Sequence, residues 1–233
     1  MARKSIRRWI LWSLIAAVAL PALVAGGWVV YNVCFSRNFH TVIAGGVYRS
    51  AQPLGEDIRR WTAQYGLKTV INLRGGETDE RVKGEVAAAR ELKLDYYDIH
   101  LSNTKLPTAE DLRELARVLE TAPRPMLIHC KAGADRTGVA AVMARMALAG
   151  DDYQAASKQC SVYYLHIDTD PDHVAGCLDQ YEAYCRDKGQ PTGGWAEFRA
   201  WVMTQYNPPP EATGKPKTAA TTRARREEAK DQD

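Results

Sequence analysis

The residues best equipped for chemistry fall in one run, Ile128-His129-Cys130-Lys131-Ala132-Gly133-Ala134-Asp135-Arg136-Thr137-Gly138. The apolar stretch Met126, Leu127, Ile128 precedes it and an alanine-rich helical pattern follows. The spacing predicts strand, tight loop and helix, with a thiol at the strand end. Such a loop turns backbone N–H groups inward on a helix N-terminus, where partial positive charge collects. A phosphate dianion fits that cradle, and the planar fork of Arg136 can grip two of its oxygens. The same field favours thiolate over thiol, which makes Cys130 the expected nucleophile. Arg136 and the amides of Lys131, Ala132, Gly133, Ala134 and Asp135 are expected to hold the phosphate and its developing charge. Gly133 is explained by backbone conformation and close phosphate approach. His129 is expected to orient the loop from behind. Lys131 is either an added positive charge for highly anionic substrates or a solvent-facing lysine.

The run resembles the signature of the cysteine-dependent protein tyrosine and dual-specificity phosphatases: His-Cys, five residues, then Arg and Ser or Thr. The Gly-Ala-Asp-Arg-Thr-Gly ending is similar to bacterial and fungal atypical members. So are Gly46-Val47-Tyr48-Arg49-Ser50-Ala51-Gln52-Pro53 and Val70-Ile71-Asn72-Leu73-Arg74, and the resemblance spans about Thr41 to Tyr206. It implies hydrolysis of a phosphomonoester through a phosphocysteine, with no metal or cofactor. The substrate would be a phosphorylated protein, a small phosphate or a lipid. It also implies that the Thr137 hydroxyl donates to the departing thiolate, a role compatible with helix capping. A rhodanese loop also places a cysteine after a strand, but normally with a different loop length. Ala134 stands where some lipid-directed relatives carry a second loop lysine, which weakens a phosphoinositide reading without removing it.

The proton donor for the leaving group departs from the family pattern. Related enzymes supply an Asp from a loop roughly 30–40 residues before the cysteine, where general acid catalysis needs it. Here Asp98 falls inside a predicted strand, and the following loop, Ser102-Asn103-Thr104-Lys105, has no carboxylate. Asp98 and Asp135 stand as equal candidates for the acid. The structural alternatives are a hydrated or salt-bridged strand end for Asp98 and a hydrogen-bond acceptor within the loop for Asp135. The missing loop aspartate also motivates a second class of function, a phosphate-binding pseudophosphatase. Arg49 and Arg74 are expected to form surface salt bridges, with Arg74 also placed to reach substrate.

To position the loop, the pattern predicts an α/β fold: a central, mostly parallel sheet flanked by helices on both faces. A hairpin is expected around Gly45-Gly46, with further strands at Thr69–Leu73, Asp95–Leu101 and Met126–His129. Helices are expected at Glu56–Tyr65, Asp79–Leu92, from Pro107-Thr108 onward, Thr137–Leu148, Asp152–Val162, Asp172–Asp187 and Gly194–Gln205. Thr108 and Asp111 are spaced for reciprocal capping. A loop at a strand's carboxyl end is where open α/β sheets bind ligands.

The formal net charge is +3, unevenly placed. Residues 1–40 hold Arg3, Lys4, Arg7, Arg8 and Arg37 and no acid, whereas 41–206 is mildly acidic, which argues against a nucleic-acid-binding face. Trp9 to Tyr31 carries no charge, is long enough to span a bilayer, and has aromatics toward both ends. The expected organisation is a basic cytoplasmic N-terminus (1–8), a transmembrane helix (9–31), a linker (32–40), a phosphatase domain (41–206) and a disordered tail (207–233). In a bacterium this places the catalytic domain beyond the inner membrane, in the periplasm or outside. The alternative is a cleaved signal peptide, against which the long apolar stretch argues. The tail's Arg223, Arg225 and Arg226 are expected to be solvated. Among Cys34, Cys130, Cys160, Cys177 and Cys185 there is no zinc spacing. Cys160 is placed to bridge Cys177 or Cys185, or all three serve as small buried hydrophobes.

Overall fold

In the computed structural model, which describes residues 2–76, 78–167 and 170–213, the chain divides into two units, Met1–Arg37 and Asn38–Asp233. The first is helix α1, Ala2–Val30, 29 residues long and continuous through Pro21, followed by a single wide turn at Tyr31–Phe35. The side chains of residues 2–8, 10, 11, 14, 33 and 34, and all of residues 214–233, lie outside the described residues, and with them the basic flank and the tail arginines. Among the described residues no helix is long and apolar enough to cross a membrane. The expected span Trp9–Tyr31 is corrected to that extent.

The second unit is built on a five-stranded sheet in the order β1-β2-β5-β3-β4. The strands are β1 (His40–Ile43), β2 (Val47–Ser50), β3 (Thr69–Asn72), β4 (Asp95–Asp98) and β5 (Met126–His129). Only the β1–β2 hairpin is antiparallel, and β2–β5, β5–β3 and β3–β4 are parallel. Alternation along each strand builds two cores. Val47, Ile71, Tyr97, Met126 and Ile128 face one, and Tyr48, Val70, Tyr96 and Leu127 the other. Helices α2 (Gly55–Tyr65) and α3 (Glu80–Glu91) cover the second face through Ile58, Trp61, Ala88 and Ala89. The first face holds α4 (Ala109–Thr121), α5 (Asp135–Ala144), α7 (Gly176–Asp187) and α8 (Trp195–Thr204). Helix α5 is the central one, with Arg136 through Ala144 all buried. This is the expected layered sheet.

Several expected boundaries move. β4 ends at Asp98 rather than Leu101. The expected helix Asp152–Val162 is broken into α6 (Tyr153–Ala156) and two 3-10 turns, Ser157–Gln159 and Val162–Tyr164. Cys160 at φ −98°, ψ 88° and Ser161 in the extended region prevent a continuous helical ladder. Residues 207–213, expected to be disordered, are tied back. Thr213 bridges Leu106, and Lys105 Nζ donates to the Glu211 carbonyl at 2.8 Å. Cys130, Cys160, Cys177 and Cys185 are free thiols. Burial pushes Cys160 up to about 12 and Cys177 above its ordinary value, as for inert core thiols.

The capping box of α4 forms as spaced. The Asp111 N–H donates to Thr108 Oγ1 at 3.1 Å, and the Thr108 N–H donates to Asp111 Oδ2 at 3.2 Å. Thr108→Ala should therefore lower the unfolding free energy of the full chain by about 1 kcal/mol, read by chemical denaturation. An unchanged midpoint would show that the box contributes nothing.

Candidate active site

The carboxyl ends of four strands form one row, with Ser50 and Asn72 both beside His129, and Asp98 beside Asn72. Cys130 leaves this row in the middle, directly after β5, and the chain from Lys131 to Ala134 loops into α5. The thiol is nearly buried, at 2 % exposure, and its Sγ accepts the Gly133 N–H at 3.2 Å.

The loop's amides point inward because its carbonyls are held from outside. The Gln52 N–H donates to the Lys131 carbonyl at 3.2 Å. Asn38 Nδ2 donates to the carbonyls of Ala132 and Gly133, each at 3.2 Å. Arg49 Nη2 donates to those of Gly133 at 2.9 Å and Ala134 at 3.2 Å. The Gly138 N–H donates to Ala134 as well, at 2.7 Å, which starts the helix. A trans peptide opposes its C=O and N–H. Fixing carbonyls 131–134 outward therefore aims N–H groups 132–135 into the loop. Gly133 sits at φ +70°, and a Cβ there would lie 2.5 Å from the Ala51 nitrogen. Only glycine fits.

Arg49 corrects an expectation. Instead of a surface salt bridge, it is fully buried beneath the loop. Besides the two loop carbonyls it reaches the Gln159 carbonyl at 2.7 Å and Gln159 Oε1 at 3.0 Å, with its guanidinium 4.0 Å over the Tyr164 ring. Burial draws it down to about 10, against support from Cys160, Tyr164, Cys130 and Asp135. It remains a cation at neutral pH. His40 donates to Asn38 Oδ1 at 3.0 Å and fixes that amide's orientation. Burial, then the Arg49 charge, pulls His40 down to about 4, so it is neutral there.

A second support runs behind the strand. His129 is fully buried, and its Nε2 lies 2.7 Å from Oε1 of the fully buried Glu85 on α3. Glu85 Oε2 accepts from Gln52, whose Oε1 accepts Arg74 Nη1 at 3.0 Å. Arg74 Nη2 pairs with Asp79 at 2.5 Å. Arg74 thus makes the expected salt bridge, but as the outer end of a chain leading to His129.

Arg136 is 8 % exposed, and its Nη1 donates to the Leu101 carbonyl at 3.4 Å. This puts its guanidinium beside the entrance to the Ser102–Lys105 loop. Thr137 Oγ1 is buried with no hydrogen-bond partner, leaving its donor available beside the loop. Lys131 and Ala132 are exposed, whereas Gly133 and Ala134 are buried. Asp98 ends β4, two strands from β5, so its backbone stands about 10 Å from that of His129. Asp135 instead opens α5 within the loop, where its Oδ1 lies 2.7 Å from His166 Nδ1. Burial works to raise the Asp135 carboxyl. The His166 hydrogen bond and charge, with His173, outweigh it and hold the group below the usual carboxylate range.

Asn38, Glu85 and His166 were not singled out from sequence. Glu85 left a signal: it lies on the α3 stripe with Val82, Ala88 and Ala89, where an apolar residue is expected. His166 left none, because its loop was expected to follow a longer helix.

The sequence profile of a family described as DSP-PTPase phosphatase fused to NAD+ kinase matches residues 36–168. No curated protein matches by sequence. Among solved structures, the core catalytic domain of the PP-IP phosphatase SIW14 from S. cerevisiae, in complex with citrate, is 19% identical with a TM-score of 0.51, covering 68% of this chain and 97% of that one. That likeness is one of fold. TpbA of P. aeruginosa in complex with pTyr is 22% identical with a TM-score of 0.47, covering 73% and 93% of the two chains. PTPMT1 in complex with PI(5)P is 18% identical with a TM-score of 0.48, covering 65% and 98%.

Gly133→Ala tests the cradle directly. The backbone alone should cost about 1–2 kcal/mol, and the displaced loop should lose vanadate and phosphate binding by calorimetry while circular dichroism stays unchanged. Retained binding would show that the inward amides do not hold the anion.

Proposed function

We propose, from the premise that the chain belongs to the family described as DSP-PTPase phosphatase fused to NAD+ kinase, that it hydrolyses phosphomonoesters through a phosphocysteine at Cys130. The observation that carries this reading is a thiol at the centre of a ring of amides whose carbonyls are all gripped from outside. Cys130 Sγ attacks phosphorus in line. The S–P bond forms as the ester O–P bond breaks, and a proton passes to the leaving oxygen. Water then attacks phosphorus, the S–P bond breaks, and inorganic phosphate leaves with the thiolate restored. Charge on the equatorial oxygens is met by the N–H groups of residues 132–135 and by Arg136, donors set before the reaction begins. The unpartnered Thr137 hydroxyl is assigned to the departing thiolate, and His129, locked by Glu85, to the orientation of the loop. The substrate class is a phosphorylated protein or a small or lipid phosphate ester.

The expected behaviour is hydrolysis of p-nitrophenyl phosphate that vanadate inhibits and EDTA does not. Cys130→Ser should lower the turnover by about 10³-fold or more, the scale of losing a nucleophile and its step. Activity surviving that substitution would contradict the mechanism. Anion binding without turnover by the unsubstituted chain, with Cys130 unreactive to iodoacetate at neutral pH, would favour the pseudophosphatase.

Location is part of the same proposal. The uncharged stretch Trp9–Tyr31, with exposed Trp9, Trp12, Val18, Leu20 and Leu23 on α1, supports an N-terminal membrane tether with the phosphatase unit on the outer side of a bacterial inner membrane. Carbonate extraction should leave the full-length chain in the pellet. Release of a shortened chain would overturn the tether.

A further inference from the structure

We propose that His166, paired with Asp135 of the cradle loop, is the proton donor to the leaving group. The inference rests on the phosphocysteine reading of Cys130 and adds the residue which that reading lacks.

Three observations lead there. The upstream loop Ser102–Lys105 offers no carboxylate, although Arg136 reaches its entrance through the Leu101 carbonyl. Asp98 stands at the end of β4, with β3 between it and the strand that carries Cys130. Asp135 lies in the loop itself, but its carboxylate is engaged with His166 at 2.7 Å. A carboxylate held ionised is a poor proton donor at neutral pH and a good partner for an imidazolium.

The loop that carries His166 is tied to the cradle by the same residues that shape it. Asn38, which grips the Ala132 and Gly133 carbonyls, also donates to the Tyr164 carbonyl at 3.1 Å. Arg49, which grips Gly133 and Ala134, lies over the Tyr164 ring and binds Gln159. Leu165 turns the chain in the left-handed region, and the His166 N–H closes back on the Ser161 carbonyl at 3.1 Å. The His166 side chain is 12% exposed, shielded from bulk water yet open at one edge. The charged and titratable groups that face the His166–Asp135 pair are Asp179 on α7, His173 on the turn before it, Arg49 from β2 and the Cys160 thiol. The carboxyl of Asp135 fixes the imidazole ring through Nδ1.

The proton balance is complete. As the S–P bond forms and the ester O–P bond breaks, the Nε2 proton of His166 passes to the leaving oxygen and an alcohol departs. Neutral His166 keeps its Nδ1–H on Asp135. In the second step it takes a proton from the attacking water as the S–P bond breaks, which restores the imidazolium.

The test measures kcat/KM of the full chain against a series of aryl and alkyl phosphates, with pH profiles. His166→Gln should lose about 10²-fold or more on alkyl phosphates and less than about 5-fold on p-nitrophenyl phosphate, since a good leaving group needs no proton. A uniform loss across the series would overturn the proposal. So would Asp135→Asn reproducing the steep leaving-group dependence while His166→Gln does not, which would make Asp135 the donor. The unsubstituted chain gives an independent reading should His166→Gln fail to fold. Its activity on alkyl phosphates should fall on the alkaline side while that on p-nitrophenyl phosphate holds, and parallel profiles would count against the proposal. Cys130→Ser separates the two ideas. If it stays active, the phosphocysteine reading fails. If it is silent and His166→Gln is uniform, only the donor assignment fails.

Discussion

The site depends on carbonyls that point away from it. Backbone N–H groups converge on an anion only if their peptide planes are turned against the local tendency of a short loop, and each turned plane exposes a carbonyl on the opposite side. Inside a protein those carbonyls need donors. Here Gln52, Asn38, Arg49 and Gly138 supply them. The ring of inward amides is thus the inner face of a structure whose outer face is a set of satisfied hydrogen bonds. On the proposed reading, no reorganisation is left for the moment of reaction.

Burying the Arg49 guanidinium is the cost of this arrangement, visible in how far burial draws it below its ordinary value. Charge-assisted bonds to two loop carbonyls and to Gln159, and the π-face of Tyr164, offset it. Arg49 and Asn38 contact both the cradle and the loop of His166. The Glu85–His129 pair fixes the other end of the loop, where β5 gives way to Cys130. Glu85 in turn is satisfied through Gln52, and Gln52 through Arg74 and Asp79. The polar chain runs from a solvent-accessible ion pair to the residue before the thiol without leaving a carboxylate uncompensated.

The sheet and the phosphate loop were legible because they rest on local signals. Apolar runs mark β3 and β5, Gly66 ends α2 at φ +67°, and Thr108 with Asp111 starts α4. Which strand residues face which of the two cores emerges in the structure, from period-two alternation along the four-residue strands. What escaped depends on distant partners. An arginine in a strand, such as Arg49, reads as a surface residue until β1, β5 and the 159–164 loop are folded around it. Asn38 lay in a stretch expected to be a linker, and the carbonyls its side-chain amide donates to are ninety or more positions away in sequence. His166 was hidden by a helix expected over Asp152–Val162, whose broken form delivers the imidazole to Asp135. The start of the expected tail, residues 207–213, likewise found its partners at Lys105 and Leu106 only in three dimensions.

The central claim is that this cradle exists to hold a phosphoryl group on sulfur. The most direct measurement is rapid acid quench of the full chain during turnover of p-nitrophenyl phosphate, followed by peptide mapping by mass spectrometry. The account predicts a phosphoryl group on the peptide spanning Met126 to Arg136, on Cys130, which disappears as substrate is exhausted. A phosphoryl group on His129 or His166, or turnover with none trapped at any time, would contradict it.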